Sequence, residues 1–233
     1  MIVLQMLLAK SMVYADIVTT VNLSLGLLAI ISVLSGFSMV VSYSLVLLAI
    51  LADGLDGVIA RITGQGIIGS YLEAMADMVS LSVAPTILVY HSYTLVVQDD
   101  LIIRITLVIF LLIFNITSFL RLGFFHIIKD ETTFVGLPVS ACTIILANAS
   151  IIKPSIYILG LVILLISYLM ISKIRFPKIS KKTGVISAVI IIMVMILGLS
   201  YSLLFSSLLL SVVILFYIIG GPIYLSISRK SLP

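Results

Sequence analysis

Four carboxylates occur in a sequence otherwise suited to hydrocarbon. Leu51-Ala52-Asp53-Gly54-Leu55-Asp56-Gly57-Val58-Ile59-Ala60-Arg61 is followed by Gly69-Ser70-Tyr71-Leu72-Glu73-Ala74-Met75-Ala76-Asp77, so four of the nine Asp and Glu residues fall inside or at the ends of apolar runs. An ionised carboxylate at the centre of a bilayer costs roughly 2.5–3.5 kcal/mol even on the lenient insertion scale, and something has to offset it. Asp53 and Asp56 are three residues apart and Glu73 and Asp77 four, so on helices each pair projects from one face. The nearest cation in the sequence is Arg61, and one arginine cannot neutralise four carboxylates. Two divalent cations can. An all-oxygen ligand set suits Mg²⁺, Mn²⁺ or Ca²⁺, and no His or Cys lies close enough in sequence to build a zinc site. Two such metals about 3.5–4 Å apart clamp the attacking and leaving oxygens of a phosphoryl displacement. Gly54, Gly57 and Gly69 each remove a side chain beside a carboxylate, which makes room for a nucleotide or another backbone. Arg61 could meet a phosphate through two parallel hydrogen bonds. The competing use of these residues is buried ion pairing or a cation path through a transporter, which accounts poorly for the glycines and for Arg61.

The elements that must hold these groups are membrane helices. The chain has 233 residues, 62% hydrophobic and only 9% charged, against about 45–50% and about 25% in a soluble domain. Its mean hydropathy is +1.39. A disulfide scaffold is excluded by the lone Cys142, and a nucleic-acid-binding domain by 13 Lys and Arg spread along the chain. A hydrocarbon core of about 30 Å needs roughly 20 apolar residues per helix. Eight stretches qualify: Ile17–Phe37, Met39–Ala60, Ile67–Tyr90, Leu101–Phe125, Phe134–Ile152, Ser155–Ile171, Val185–Ser202 and Leu203–Ile227. These are unbroken Ile, Leu and Val runs rather than short alternating segments, so the expected class is an all-α polytopic bundle. Residues 1–16 read as an interfacial helix, 17–182 as a core of six spans carrying the carboxylates, and 183–233 as two further spans without internal charge. Eight spans put both termini on one side. That side holds Lys10, Arg61, Arg121, Lys129, Lys173, Arg175, Lys178, Lys181, Lys182, Arg229 and Lys230, and the other only Arg104 and Lys153, so both termini and the acidic site are expected at the cytoplasmic face of a cell membrane. Spans two and three are joined by a short turn, which makes them antiparallel neighbours whose carboxylates can converge.

The string Asp-x-x-Asp-Gly-x-x-Ala-Arg, a short gap and Gly-x-x-x-Asp-x-x-x-Asp resembles the signature of the CDP-alcohol phosphotransferases, integral membrane enzymes of phospholipid synthesis. It is matched by Asp53, Asp56, Gly57, Ala60, Arg61, Gly69 and Asp77, with Glu73 where the family has its third aspartate and with seven residues between Arg61 and Gly69 where eight are usual. Further similarity runs through Thr19-x-x-Asn22-Leu23-x-x-Gly26, Val83-Ala84-Pro85, Arg121-Leu122, Phe134-x-Gly136-Leu137-Pro138 and Lys173-Ile174-Arg175-Phe176-Pro177-Lys178. The last three segments are similar to the phosphatidylserine and archaetidylserine synthase branch. The resemblance implies attack of the L-serine hydroxyl on the lipid-bearing phosphorus of CDP-diacylglycerol or CDP-archaeol, with release of CMP. It implies Asp53, Asp56, Glu73 and Asp77 as ligands of two cations, Mg²⁺ or Mn²⁺ with Ca²⁺ as substitute or inhibitor, and Asp77 as general base. It further implies Gly57, Ala60, Arg61 and Gly69 as the CDP cradle, and a homodimer. A serine acceptor brings a carboxylate that needs a cationic partner; Arg121 is the first candidate and Lys129 the second. Glycerol 3-phosphate or inositol phosphate as acceptor, and a non-catalytic cation-binding protein or transporter, remain open at this point.

Overall fold

The computed structural model describes residues 14–64, 66, 68–95, 100–125, 133–177 and 181–230. Of the expected interfacial segment 1–16, residues 1–13 lie outside these residues, as does Lys129, while 14–16 open the first helix. Among the described residues the chain forms eight helices: α1 (Tyr14–Leu34), α2 (Met39–Thr63), α3 (Gly69–Thr94), α4 (Leu101–Phe125), α5 (Val139–Ile152), α6 (Ile156–Ile171), α7 (Lys181–Ser200) and α8 (Leu203–Lys230). Two short strands, β1 (Thr133–Val135) and β2 (Arg175–Pro177), complete the order. Five helices, α1, α3, α4, α7 and α8, are long and apolar enough to cross a membrane, and α5 and α6 are shorter apolar helices. The protein is thus an all-α polytopic membrane protein.

The turns stop where backbone chemistry dictates. Gly36 joins α1 to α2 at φ +77, and α2 ends at Gly64, φ +85, whose N–H bonds the Ala60 carbonyl at 3.0 Å. A residue in the left-handed region just past the last turn is the commonest way to end a helix, and glycine enters it without strain. Lys153 takes the same role after α5 at φ 51, with Pro154 next.

Two departures from the sequence expectation bear on the site. The fifth span was expected to start at Phe134, but helix α5 begins only at Val139 and has 14 residues. Thr133–Val135 pairs instead with Arg175–Pro177 in an antiparallel clasp, Phe134 opposite Phe176. Gly136, at φ +79, turns the chain out of it, and a β-carbon there would collide with the Met170 carbonyl. The clasp ties the α4–α5 connection to the α6–α7 connection. The second departure is a π-helical turn, Met78–Val83, inside α3 immediately after Asp77. Pro85 has no N–H to give to the preceding turn, and the Leu81 carbonyl accepts the Thr143 hydroxyl of α5 instead. Wide turns of this kind are frequent at functional sites.

Apolar burial does little to join helices in lipid, so small residues and polar pairs must do it. A β-carbon on Gly26 of α1 would stand 2.5 Å from the Ser80 Cα, which brings α1 against the π turn. Gly160 of α6 lies against the ring of Phe110 of α4. Tyr43 of α2 donates to Asn148 Oδ1 of α5 at 2.7 Å, and Asn148 Nδ2 donates to Ser211 of α8 at 2.8 Å. Helix α8 also packs along β2, and α7 against α2.

Candidate active site

Helices α2 and α3 are not simple antiparallel neighbours along their acidic segments. α2 packs on α3 from the π turn onward but scarcely along Gly69–Asp77, where α1 packs against both. The residues of α1 at that place are polar. Thr19 Oγ1 donates to Asp56 Oδ2 at 2.9 Å, and Asn22 Nδ2 donates to Asp77 Oδ1 at 2.9 Å. Thr19, Asn22 and Gly26 follow helical spacing, so one face of α1 holds a carboxylate of α2, a carboxylate of α3 and the π turn. These two hydrogen bonds stand in for water around buried charges, since Asp56 is 3% and Asp77 7% exposed.

The four expected acidic residues are brought to one end of the bundle. Asp53 is repelled by Asp56 and Glu73 and lies within hydrogen-bond reach of Asp77, while Asp77 in turn feels the charges of Asp53, Glu73 and Asp56. They line two adjoining hollows. Asp53, Glu73 and Asp77 share a cavity of about 150 Å³ with Arg121, Leu81, Phe134, Pro138, Val139 and Ser140. Asp56 and Glu73 line a narrow cleft of about 10 Å³ with Ala15, Asp16, Thr19, Ala60 and Gly69. Glu73 is therefore on the wall of both. Among the described residues no three acidic, His or Cys side chains converge at metal-ligating distance. Asp53 and Asp56 thus divide between the two hollows, Asp77 lines the larger one, and Glu73 borders both.

Their fit to divalent cations rests on the donor set and on an orphaned atom. Four carboxylates at one end of the bundle are hard oxygen donors, and Asn22 Oδ1, fully buried beside Asp77, has no hydrogen-bond partner among the described residues. Such a set suits Mg²⁺ or Mn²⁺.

The cradle residues divide. Ala60 and Gly69 line the narrow cleft, and a β-carbon on Gly54 or Gly57 would meet nothing within 4 Å, so these glycines open space rather than admit a neighbouring backbone. Arg61 is exposed, with its Nε donating to the Gly57 carbonyl at 2.9 Å. Arg121, half-buried near the end of α4, lines the larger cavity together with Asp53, Glu73 and Asp77, with Cys142 and Tyr217 close enough to exert a field on it. Sequence reasoning gave no role to Thr19 and Asn22 and passed over Asp16; the signal for all three was polar residues at three-residue spacing at the start of an apolar helix.

The arrangement is that of a membrane-embedded protein with an acidic site open at one end of its bundle and a cationic residue lining the same cavity. The chain is 34% identical over 174 residues, 74% of its length and 78% of the relative's, to a CDP-diacylglycerol–serine O-phosphatidyltransferase of Methanocaldococcus jannaschii. It is 29% identical over 181 residues to an archaetidylserine synthase of Methanothermobacter thermautotrophicus, covering 70% of this chain and 69% of that one. A CDP-diacylglycerol–serine O-phosphatidyltransferase of Bacillus subtilis is 33% identical over 136 residues, 55% of this chain and 70% of the relative. No family model matches the chain. The chain belongs to the CDP-alcohol phosphotransferases, in the family of phosphatidylserine and archaetidylserine synthases.

Proposed function

We propose that the protein transfers a phosphatidyl or archaetidyl group from a CDP-activated lipid to the hydroxyl of L-serine. The serine oxygen attacks the phosphorus that carries the lipid; a P–O bond forms there, the bond from that phosphorus to the bridging oxygen breaks, and CMP leaves with that oxygen. In this reading Asp53, Asp56, Glu73 and Asp77 hold two divalent cations. When bound, these cations neutralise the diphosphate and the charge that builds on the leaving oxygen. Asp77 takes the hydroxyl proton, held in place by Asn22. Gly57, Ala60 and Gly69 leave space for the nucleotide, and Arg61 turns from its own helix to the diphosphate. Arg121 holds the serine carboxylate, with Lys129 as a second cation.

The observation that carries this reading is the shared cavity: Asp53, Glu73, Asp77 and Arg121 line one space of about 150 Å³, which supports an amino-acid anion and a nucleophile-activating carboxylate acting side by side. In-line transfer needs mainly such positioning and charge neutralisation. The excess of Lys and Arg expected at the end of the bundle with Arg61, Arg121 and Arg175 supports a cytoplasmic site. A homodimer comes with the resemblance, and cross-linking in membranes tests it.

The experiment is an acceptor panel with labelled CDP-lipid in membranes holding the protein. CMP release is expected with L-serine and not with glycerol 3-phosphate or inositol phosphate. Preference for a phosphorylated acceptor, or release that needs no acceptor, would overturn the serine assignment.

A further inference from the structure

Helix α8 lies beyond the last of the family-like motifs, which ends at Lys178, yet it reaches the larger cavity through the clasp. The Tyr217 hydroxyl donates to the Pro177 carbonyl at 3.3 Å, and its ring lies 5.9 Å from that of Phe176, centroid to centroid. One turn on, along the same face, Gly221 lets the helix come close: a β-carbon there would stand 2.9 Å from Pro177 Cδ. Phe176, only 1% exposed, is opposite Phe134 in the clasp, and opposed residues of an antiparallel pair are neighbours on one face. Phe134 in turn lines the cavity, as does Pro138 at the start of α5. Tyr217, Phe176 and Phe134 thus run in order from α8 to the cavity wall. Two paired strands of three residues are marginal on their own and need a helix packed on them. Helix α8 packs on β2, and the Gly136 N–H bonds the Ile174 carbonyl at 2.7 Å and the Leu137 N–H the Leu169 carbonyl at 3.0 Å, which fastens the segment leading into Pro138. Arg121 shares the cavity with Phe134 and Pro138, and Tyr217 is near enough to act on it electrostatically, as is Cys142. Among the described residues, none from α8 or the clasp lines the narrow cleft of Asp56, Ala60 and Gly69.

We infer that Tyr217 is a positioning residue for the acceptor: by holding β2 it fixes Phe134, Pro138 and Arg121 on the wall where serine binds, while the nucleotide cleft does not depend on it. The inference rests on the serine-transfer reading above and adds to it a residue of the last helix that itself touches no substrate. A role confined to packing α8 on the bundle would change stability without telling the two substrates apart.

The test is steady-state CMP release by the full-length protein in membranes, with L-serine and CDP-lipid varied in turn, for the wild type, Tyr217→Ala, Tyr217→Phe and a control at the next residue, Phe216→Ala, whose side chain is 75% exposed. Tyr217→Ala should raise KM for serine at least about tenfold, or about 1.4 kcal/mol, and leave KM for CDP-lipid within about twofold of the wild type. Tyr217→Phe, which keeps the ring beside Phe176 and loses only the hydrogen bond to Pro177, should fall between the two and serves if the alanine variant fails to fold. Phe216→Ala should match the wild type. Equal rises in both KM values, an unchanged KM for serine in the folded Tyr217 variants, a lower melting temperature with both KM values intact, or the same serine defect in Phe216→Ala would each overturn the inference. A wild type whose CMP release does not depend on serine would instead overturn the serine-transfer reading beneath it.

Discussion

Asn22 and Thr19 do for Asp77 and Asp56 what water does at a surface: each donates one hydrogen bond to a buried carboxylate, at 2.9 Å. A hydrogen bond to a charged group contributes about 1.5–3 kcal/mol, enough to hold a side chain in one rotamer. Asn22→Leu is therefore expected to lower kcat by roughly 10–100-fold with little change in KM for CDP-lipid, because the proposed base, Asp77, loses its orientation while the proposed nucleotide cradle stays intact. Steady-state CMP release checks this, and an unchanged kcat would remove Asn22 from the account. Asp77→Asn should cost more, about 10²–10⁴-fold, the usual contribution of a general base. At this scale the sequence was informative wherever a charge stood in an apolar run. It marked Thr19 and Asn22 only as part of a family-like motif and gave them no partner, because those partners lie 37 and 55 residues away, a distance no local pattern encodes.

Elements place these residues through close approaches that glycine permits and through turns that proline imposes. Gly26 and Gly57 are both helical glycines but answer to different needs. A β-carbon on Gly26 would press on the Ser80 backbone at 2.5 Å, whereas one on Gly57 meets nothing within 4 Å. Gly26→Ala is expected to destabilise the protein by about 1–3 kcal/mol through overpacking. Gly57→Ala should leave stability unchanged or raise it by up to about 1 kcal/mol through helix propensity, yet weaken CDP binding. Melting in detergent, with and without CDP, separates the two; a Gly57→Ala protein that binds CDP normally would contradict the cradle. Helices of this length were legible from apolar run length alone. The clasp was not, because three-residue strands some forty residues apart carry no periodic signal, although both segments stood out as family-like motifs before their pairing was visible. The π turn was hidden too: Pro85 marks a disturbance in α3, and only the Thr143 hydroxyl on the Leu81 carbonyl explains how the turn is satisfied.

For the whole molecule, the distribution of charge is the simplest guide to orientation. On the eight-span reading of the sequence, eleven of the 13 Lys and Arg are expected on the side holding the site, and Arg104 and Lys153 on the other. Ile62, 75% exposed at the site end of α2, and Tyr157, 85% exposed at the start of α6, are suitable reporters, because the native Cys142 is buried. In intact cells a membrane-impermeant thiol reagent should label Tyr157→Cys, and should label Ile62→Cys only after permeabilisation. The reverse pattern would invert the topology and put the site outside. The eight-helix count was readable from the sequence; the insertion of α1 between the acidic segments was not, since packing partners within a bundle are chosen by small-residue contacts rather than by hydropathy.

The account depends on carboxylates from two membrane helices sharing divalent cations with a cytidine diphosphate. Mn²⁺ binding to the purified protein, followed by the loss of its free paramagnetic signal, tests this directly. Two Mn²⁺ per chain are expected in the presence of CDP, with binding weakened at least about tenfold, or about 1.4 kcal/mol, in Asp53→Asn and Asp56→Asn. Tight CDP binding in the presence of a chelator, or Mn²⁺ binding indifferent to those two substitutions, would contradict it.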